Sequence, residues 1–419
     1  MTIANIISAI GNNSSVYPLI VRDCGIEVPT KITLTYNQNK KESKGVAYLA
    51  ARERFLDEYA TSAVWLGGIP LVGKIADFII KKTGLTPKVN LKLFNEDRFQ
   101  GINYNIQQFA QKAPQAVQDL IKTRENKKLY EKLLAGKFIL STTIPILFMG
   151  FILPKMIFAS SAKKIDALRQ KEKKQMNFVE KDKFFSYQDI SFTGSWIAKA
   201  ANFSAQDKMA VTDGGYALGR IATARNKNET IDISFKMAGM MFLNFVAPKW
   251  IEKALNKVTG ITLDPIILSD KRFLVQVRNN SLSLPESSSA EDLFEFIDDI
   301  SNKKSNFMKY AEKFNKVKLL KNGIRDPREY VDIKDLGQFR DELASFMSKA
   351  KGMSKDAFIS YIKKAKFAKS ANIITNIGLS SFLLAYCLPK AQFAFRKFIT
   401  GSDLEPGLAP AEKIVDENI

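Results

Sequence analysis

Four apolar segments, each interrupted by proline, constrain this 419-residue chain more than any other feature. They run from Ala60 to Gly73 (ATSAVWLGGIPLVG), Phe138 to Pro154 (FILSTTIPILFMGFILP), Met237 to Pro248 (MAGMMFLNFVAP) and Ala371 to Pro389 (ANIITNIGLSSFLLAYCLP). A helix crossing a bilayer needs roughly 20 apolar residues, in a range of about 17–25. The second and fourth segments, 17 and 19 residues without a charge, reach that length. The first and third are short, as buried, re-entrant or interfacial helices are.

Proline lacks the amide donor, and its ring presses on the carbonyl four residues back. Helix kinks are therefore expected at Pro70, Pro154, Pro248 and Pro389, loosening the carbonyls of Leu66, Gly150, Asn244 and Ala385. In hydrocarbon such a group needs another partner, for example a serine or threonine hydroxyl. Such helices are expected to place Phe151, Phe245, Leu384 and Tyr386 in an exposed apolar belt.

The segments resemble one another. Val246–Pro265 aligns without a gap on Cys387–Pro406, matching Pro248-Lys249 with Pro389-Lys390 and Thr259-Gly260 with Thr400-Gly401. Phe148, Phe151 and Pro154-Lys155 repeat the front of the unit; Thr83-Gly84 repeats its back. These matches imply one unit used four times, or a pair of units duplicated with a period of about 175 residues. Each unit reads as an apolar helix, a proline kink, and about three turns of cationic amphipathic helix. Glycine in the left-handed conformation ends the helix at Gly84, Gly260 and Gly401. Lys155, Lys249, Lys253, Lys257, Lys390, Arg396 and Lys397 are then placed to reach anionic headgroups.

The expected fold is mostly α, with little or no β. It has two related halves, each with two Pro-kinked apolar helices, plus charged amphipathic helices. The divisions are an N-terminal segment at 1–50, a first repeat half at 51–175, and the start of the second half, with the third apolar helix, at 176–280. A linker at 281–290, a charged helical insert at 291–370, the fourth apolar helix at 371–405 and a disordered tail at 406–419 follow. Ser289 reads as the N-cap of an acidic helix from Glu291 to Ile300, and Gln338–Ser370 as one amphipathic stretch. Lys31–Tyr36 and Phe273–Val277 are the only strand candidates.

Charge and composition narrow the function classes. The formal charge is +20, from 63 Lys and Arg against 43 Asp and Glu. Such a balance attracts anionic partners, either lipid headgroups or nucleic acid. Only 14 of those cations are arginine, the residue suited to bidentate base readout, so the balance leans toward unspecific phosphate attraction. There is no histidine, and the two cysteines, Cys24 and Cys387, are too few for a zinc site or an iron–sulfur cluster. Histidine-dependent catalysis is excluded, and no cofactor or metal is expected. Two lone cysteines suit a reducing compartment, so the soluble parts are expected to be cytoplasmic. The first fifteen residues lack a basic region before their apolar stretch, which argues against a cleavable signal peptide. Asp213–Arg220 (DGGYALGR) lacks the ending of a phosphate loop; it reads as a helix capped by Asp213, with Gly215 and Gly219 allowing close packing.

The reading is a membrane-embedded or membrane-peripheral helical protein with a structural or interaction role, its partner an anionic lipid or membrane surface. The alternative is a soluble basic helical protein binding nucleic acid, with Phe358, Tyr361 and Phe367 set among lysines in Lys355–Lys369.

Overall fold

The computed structural model describes residues 20–171 and 205–401, except 42, 97 and 225, together with 3 and 6–8. The expected disordered tail at 406–419 lies outside the described residues, within which there are helices and no strands. The nearest approach to a sheet is an isolated bridge between Leu319 and Arg325.

Both strand candidates are helical. Lys31–Tyr36 lies in α1 (Val28–Asn39), which buries Lys31, Thr35 and Asn39 at four-residue spacing. Packing on α2 (Lys44–Ala63) overrides the β preference of its threonines. Phe273–Val277 lies in α11 (Lys271–Arg278), whose N-cap Asp270 accepts the N–H groups of Arg272 and Phe273. Phe273 and Val277, one turn apart, face the core.

All four apolar segments belong to long helices, because amphipathic turns extend each on both sides. The first passes from α2 through a π-helical turn at Val64–Gly68 into α3 (Ile69–Lys82). The second passes from α6 (Lys127–Leu147) through Phe148–Ile152 into α7 (Leu153–Lys171). The third joins α9 (Lys227–Phe245) to α10 (Ala247–Thr259), and the fourth joins α15 (Lys355–Phe382) through Leu383–Cys387 to α16 (Leu388–Thr400). The first and third, short by segment length, therefore sit in runs of 39 and 33 residues.

Each interruption comes immediately before its proline. Ile69, Leu153 and Leu388 donate their N–H groups to carbonyls five residues back, those of Val64, Phe148 and Leu383. Pro70, Pro154, Pro248 and Pro389 then occupy the first turn of the next helix, where a missing N–H costs no intrahelical bond. A further proline, Pro145, lies buried inside α6.

The long helices pack as two pairs. α2 lies against α7 while α3 lies against α6; likewise α9 lies against α16 while α10 lies against α15. Chain order makes the partners in each pair antiparallel. α8 (Ala205–Ala222) joins the pairs by packing on α6, on the turn at Phe148–Ile152 and on α9. A side chain at Gly219 would have its Cβ 2.8 Å from Gly150 Cα, so two glycines are what allow this approach. At the same place Thr223 Oγ1 donates to the Gly150 carbonyl at 3.2 Å. That carbonyl is the one Pro154 cannot serve. Asp213 lies inside α8 and does not cap it.

Between the partners of each pair the chain makes an insert, residues 83–126 and 260–354, and the two inserts fuse into one globular unit. The second insert supplies its main core, around Phe273, Phe294, Phe307, Leu336 and Leu343, onto which Phe99 of the first insert packs. Leu282 belongs to this core, so the serine-rich stretch 281–290 runs within it. Segment 320–331 locks the inserts together. Gln100 exchanges two hydrogen bonds with the backbone of Val331, and Asn105 donates to the Pro327 carbonyl. Arg325, wholly buried, pairs with Asp298 and reaches Asn105 between the rings of Phe109 and Phe294. Gln338–Ser370 is split by a turn: α14 (Ile333–Ala350) ends before Gly352, at φ 77°, and Ser354 caps α15.

Candidate functional site

Two features of the helix pairs carry functional information: their outer surface and a cavity between them. The four long helices are long and apolar enough to cross a membrane, with mean hydropathy of 1.6, 1.7, 1.2 and 1.5 in their most apolar windows. At most 33% of any window is buried inside the protein. The surface they show outward is greasy. Leu71 and Phe78 on α3, Ile144 on α6, Phe148 beside it, and Ile374 and Phe382 on α15 are all exposed. Soluble monomers usually leave large apolar side chains exposed singly rather than along several long helices. Of the four residues expected in this belt, Tyr386 is exposed, Phe151 and Phe245 are half-buried, and Leu384 is fully buried.

The lysines after the prolines fall into two sets by the direction in which their helices run. Lys249, Lys253 and Lys257 lie on α10, which leads into the second insert; Lys155, Lys390 and Lys397 lie on helices that lead away from the inserts. All six are exposed. Arg396, expected among them, is not: it is 1% exposed and grips Asp232 of α9 through Nε (3.0 Å) and Nη2 (2.9 Å). Its face of α16 packs on α9, and a long side chain there finds a carboxylate before it finds solvent. Gly84, Gly260 and Gly401 follow α3, α10 and α16 with φ of 80°, 65° and 70°.

The Arg396–Asp232 pair belongs to a set of buried charges at the end of the bundle away from the inserts. Arg220 of α8 pairs with Asp57 of α2 at 3.0 Å. Glu58 of α2 receives Lys236 of α9 at 3.0 Å, Arg54 at 3.3 Å and Lys31 of α1 at 3.8 Å. Gln392 completes the shell of Asp232 at 2.7 Å. These contacts tie the first pair to the second and α9 to α16, just outside the apolar zone. Sequence reasoning missed them. Their local signals are four-residue spacings, Arg54 with Glu58, Asp232 with Lys236 and Gln392 with Arg396, beside apolar runs.

The cavity, about 180 Å³, lies where the helices are interrupted. Its wall includes Trp65 and Leu66 from the first interruption, Met149 from the second, and Asn244, Phe245 and Pro248 from the third. α9 presents Met237, Met240, Met241 and Asn244 at three- and four-residue spacing, hence from one face. Asp213 and Tyr216 of α8 close another side; Arg22, Asp23, Glu27 and Glu58 line the remainder. Among the described residues, no group of three or more Asp, Glu or Cys side chains is placed to hold a metal ion.

The nucleic-acid alternative turns on Lys355–Lys369. There Phe358 is buried in the insert core, Tyr361 stacks on Phe346, and Phe367 is exposed. The acidic pair Asp298-Asp299 is committed locally, Asp298 to Arg325 and Asp299 to capping Ser301. Comparison with family models, curated proteins and solved structures finds no match to this chain, so its geometry alone carries the functional reading.

Proposed function

We propose that this chain is an integral membrane protein in which two antiparallel helix pairs cross the bilayer and hold the fused inserts on one side, in a structural or interaction role. The observation that carries this reading is the exposed apolar surface on all four long helices, each able to cross a membrane by length and composition. The dimensions agree. From Lys369 to Lys390 is 21 residues, which at about 1.5 Å per residue is about 32 Å. The hydrocarbon core of a bilayer is about 30 Å thick. Lys257, beside the Asn256 that accepts from Lys369, then meets anionic headgroups on the insert side, and Lys155, Lys390 and Lys397 do so on the far side. The inserts face the cytoplasm in this reading, as suits a chain whose two cysteines are both free.

The two halves are related by duplication in the same reading. Its support is that α3 and α10 are each followed by a positive-φ glycine, and that seven residues after each glycine a short 3-10 helix begins, at Leu91–Phe94 and Ile267–Ser269.

Membrane extraction tests the assignment. The full-length protein should stay in the pellet through high salt and alkaline carbonate and leave it only with detergent. Release by salt alone would reduce it to a peripheral protein, and recovery in the low-salt soluble fraction would refute the proposal.

A further inference from the structure

The cavity between the helix pairs joins an apolar half to a polar half. Four of the chain's 11 methionines line this space of about 180 Å³, and Trp65 and Phe245 add aromatic surface. A dry cavity of about 150 Å³ holds a benzene molecule, so this one admits a ligand slightly larger than a single ring. Methionine thioethers are polarisable and adapt to irregular apolar shapes.

The polar half offers no uncommitted charge to a ligand. Asp23 pairs with Arg22 at 2.9 Å, Glu27 with Lys31, and Glu58 with Lys236 and Arg54. Burial pushes the Asp213 carboxyl up, toward its neutral form. Lys249, the remaining cation of the wall, is exposed rather than enclosed. An ion entering the cavity would leave water and find no enclosed counter-charge, which is costly.

Hydrogen-bonding capacity does remain, and of both kinds. Asn244 Oδ1, an acceptor on the methionine face of α9, is buried and accepts no hydrogen bond. Trp65 Nε1, a donor, and Thr61 Oγ1, which serves either way, are buried too, four residues apart on the first long helix. They face Asp213 and Tyr216 without completing hydrogen bonds of ordinary geometry. Buried groups left in this way carry a standing cost, which a ligand with one donor and one acceptor removes.

We propose that this cavity binds a small uncharged molecule with an apolar body and a hydroxyl or carboxamide head. The head donates to Asn244 Oδ1 and accepts from Trp65 Nε1, while the body lies against the methionines. The inference goes beyond membrane residence, and binding measured in detergent solution does not depend on it.

Calorimetry on the full-length, detergent-solubilised protein, with detergent alone as blank, tests the proposal with probes built on one ring: benzyl alcohol, anisole, benzylamine and benzoate. Anisole is an isomer of benzyl alcohol without the O–H that Asn244 needs, so the alcohol should bind about threefold or more tightly. Benzylamine and benzoate, both charged at neutral pH, should bind about tenfold or more weakly than the alcohol. Asn244→Leu, close in size, should bring alcohol and anisole within about twofold of each other. Met241→Trp, which fills the space, should weaken both. Anisole binding as well as the alcohol, a charged probe matching it, an alcohol preference that survives Asn244→Leu, or no binding by any probe would overturn the site. If Asn244→Leu does not fold, the rank order on the natural protein and its loss in Met241→Trp still decide the matter.

Discussion

The buried pair Arg396–Asp232 offers the sharpest test of how the bundle is held. Replacing Asp232 with leucine removes a carboxylate that accepts from Arg396 Nε, Arg396 Nη2 and Gln392 Nε2 at 3.0, 2.9 and 2.7 Å. It leaves behind a guanidinium whose side chain is 0% exposed, against 5% for the aspartate it loses. Breaking a buried pair on one side costs about 3–5 kcal/mol, because the surviving charge has neither water nor counter-ion. At about 1.4 kcal/mol per tenfold, the unfolding equilibrium should shift by roughly two to three and a half powers of ten. Removing both members tells a different story. Asp232→Leu combined with Arg396→Met places two apolar side chains in a site already closed to water, and should return stability to within about 1 kcal/mol of the natural protein. The assay is equilibrium unfolding of the detergent-solubilised full chain, followed by circular dichroism, for both single variants and the double. A strongly favourable coupling is expected. A single variant costing under about 1 kcal/mol, or a double variant as unstable as the sum of its parts, would mean that the site is wet and would refute the reasoning.

Two further outcomes follow from close contacts. Gly219→Ala puts a Cβ 2.8 Å from the Gly150 backbone, which cannot yield, and should cost about 1–3 kcal/mol in the same assay; Gly136→Ala, with nothing within 4 Å, is the control, and equal behaviour of the two would negate the contact. In the insert domain, burial pushes the Asp270 carboxyl up, but Lys309, Tyr310 and the N–H groups of Arg272 and Phe273 outweigh it and hold the group at about 2. The folded value lies below the unfolded one of about 3.9, so this stabilisation is complete above that pH and is lost as pH falls toward 2. Asp270→Asn should be less stable than the natural protein at neutral pH and should converge with it near pH 2; a gap independent of pH would exclude the ionised cap.

Much of the helical framework was legible locally. At Pro154, Pro248 and Pro389 a proline followed by lysine sits in the first turn of a restarted helix, because both residues act on their own turn, and at Gly84, Gly260 and Gly401 a Thr-Gly pair marks a stop for the same reason. Span length was less legible: Ala60–Gly73 looks short until the amphipathic turns on either side are counted into α2 and α3. Pairing across the chain was not legible at all. Arg396 sits beside Lys397 on a cationic helix, and nothing in its neighbourhood announces Asp232 at a distance of 164 residues. Asp213 looked like a cap because glycines follow it, whereas α8 needs those glycines to approach Gly150 and Ile146. The cavity is invisible for the same reason, since its wall draws on three interruptions and α8.

The fused inserts also set an order of events during synthesis. Gln100 and Asn105 emerge early, yet their partners Val331 and Pro327 lie 231 and 222 residues later. Until the ribosome has passed that point, the first insert carries two amides and the faces of Phe109 and Val117 with nothing to cover them. The first half is therefore a nascent intermediate waiting on its own second half, and truncations that end between the two inserts should be degraded rather than stored.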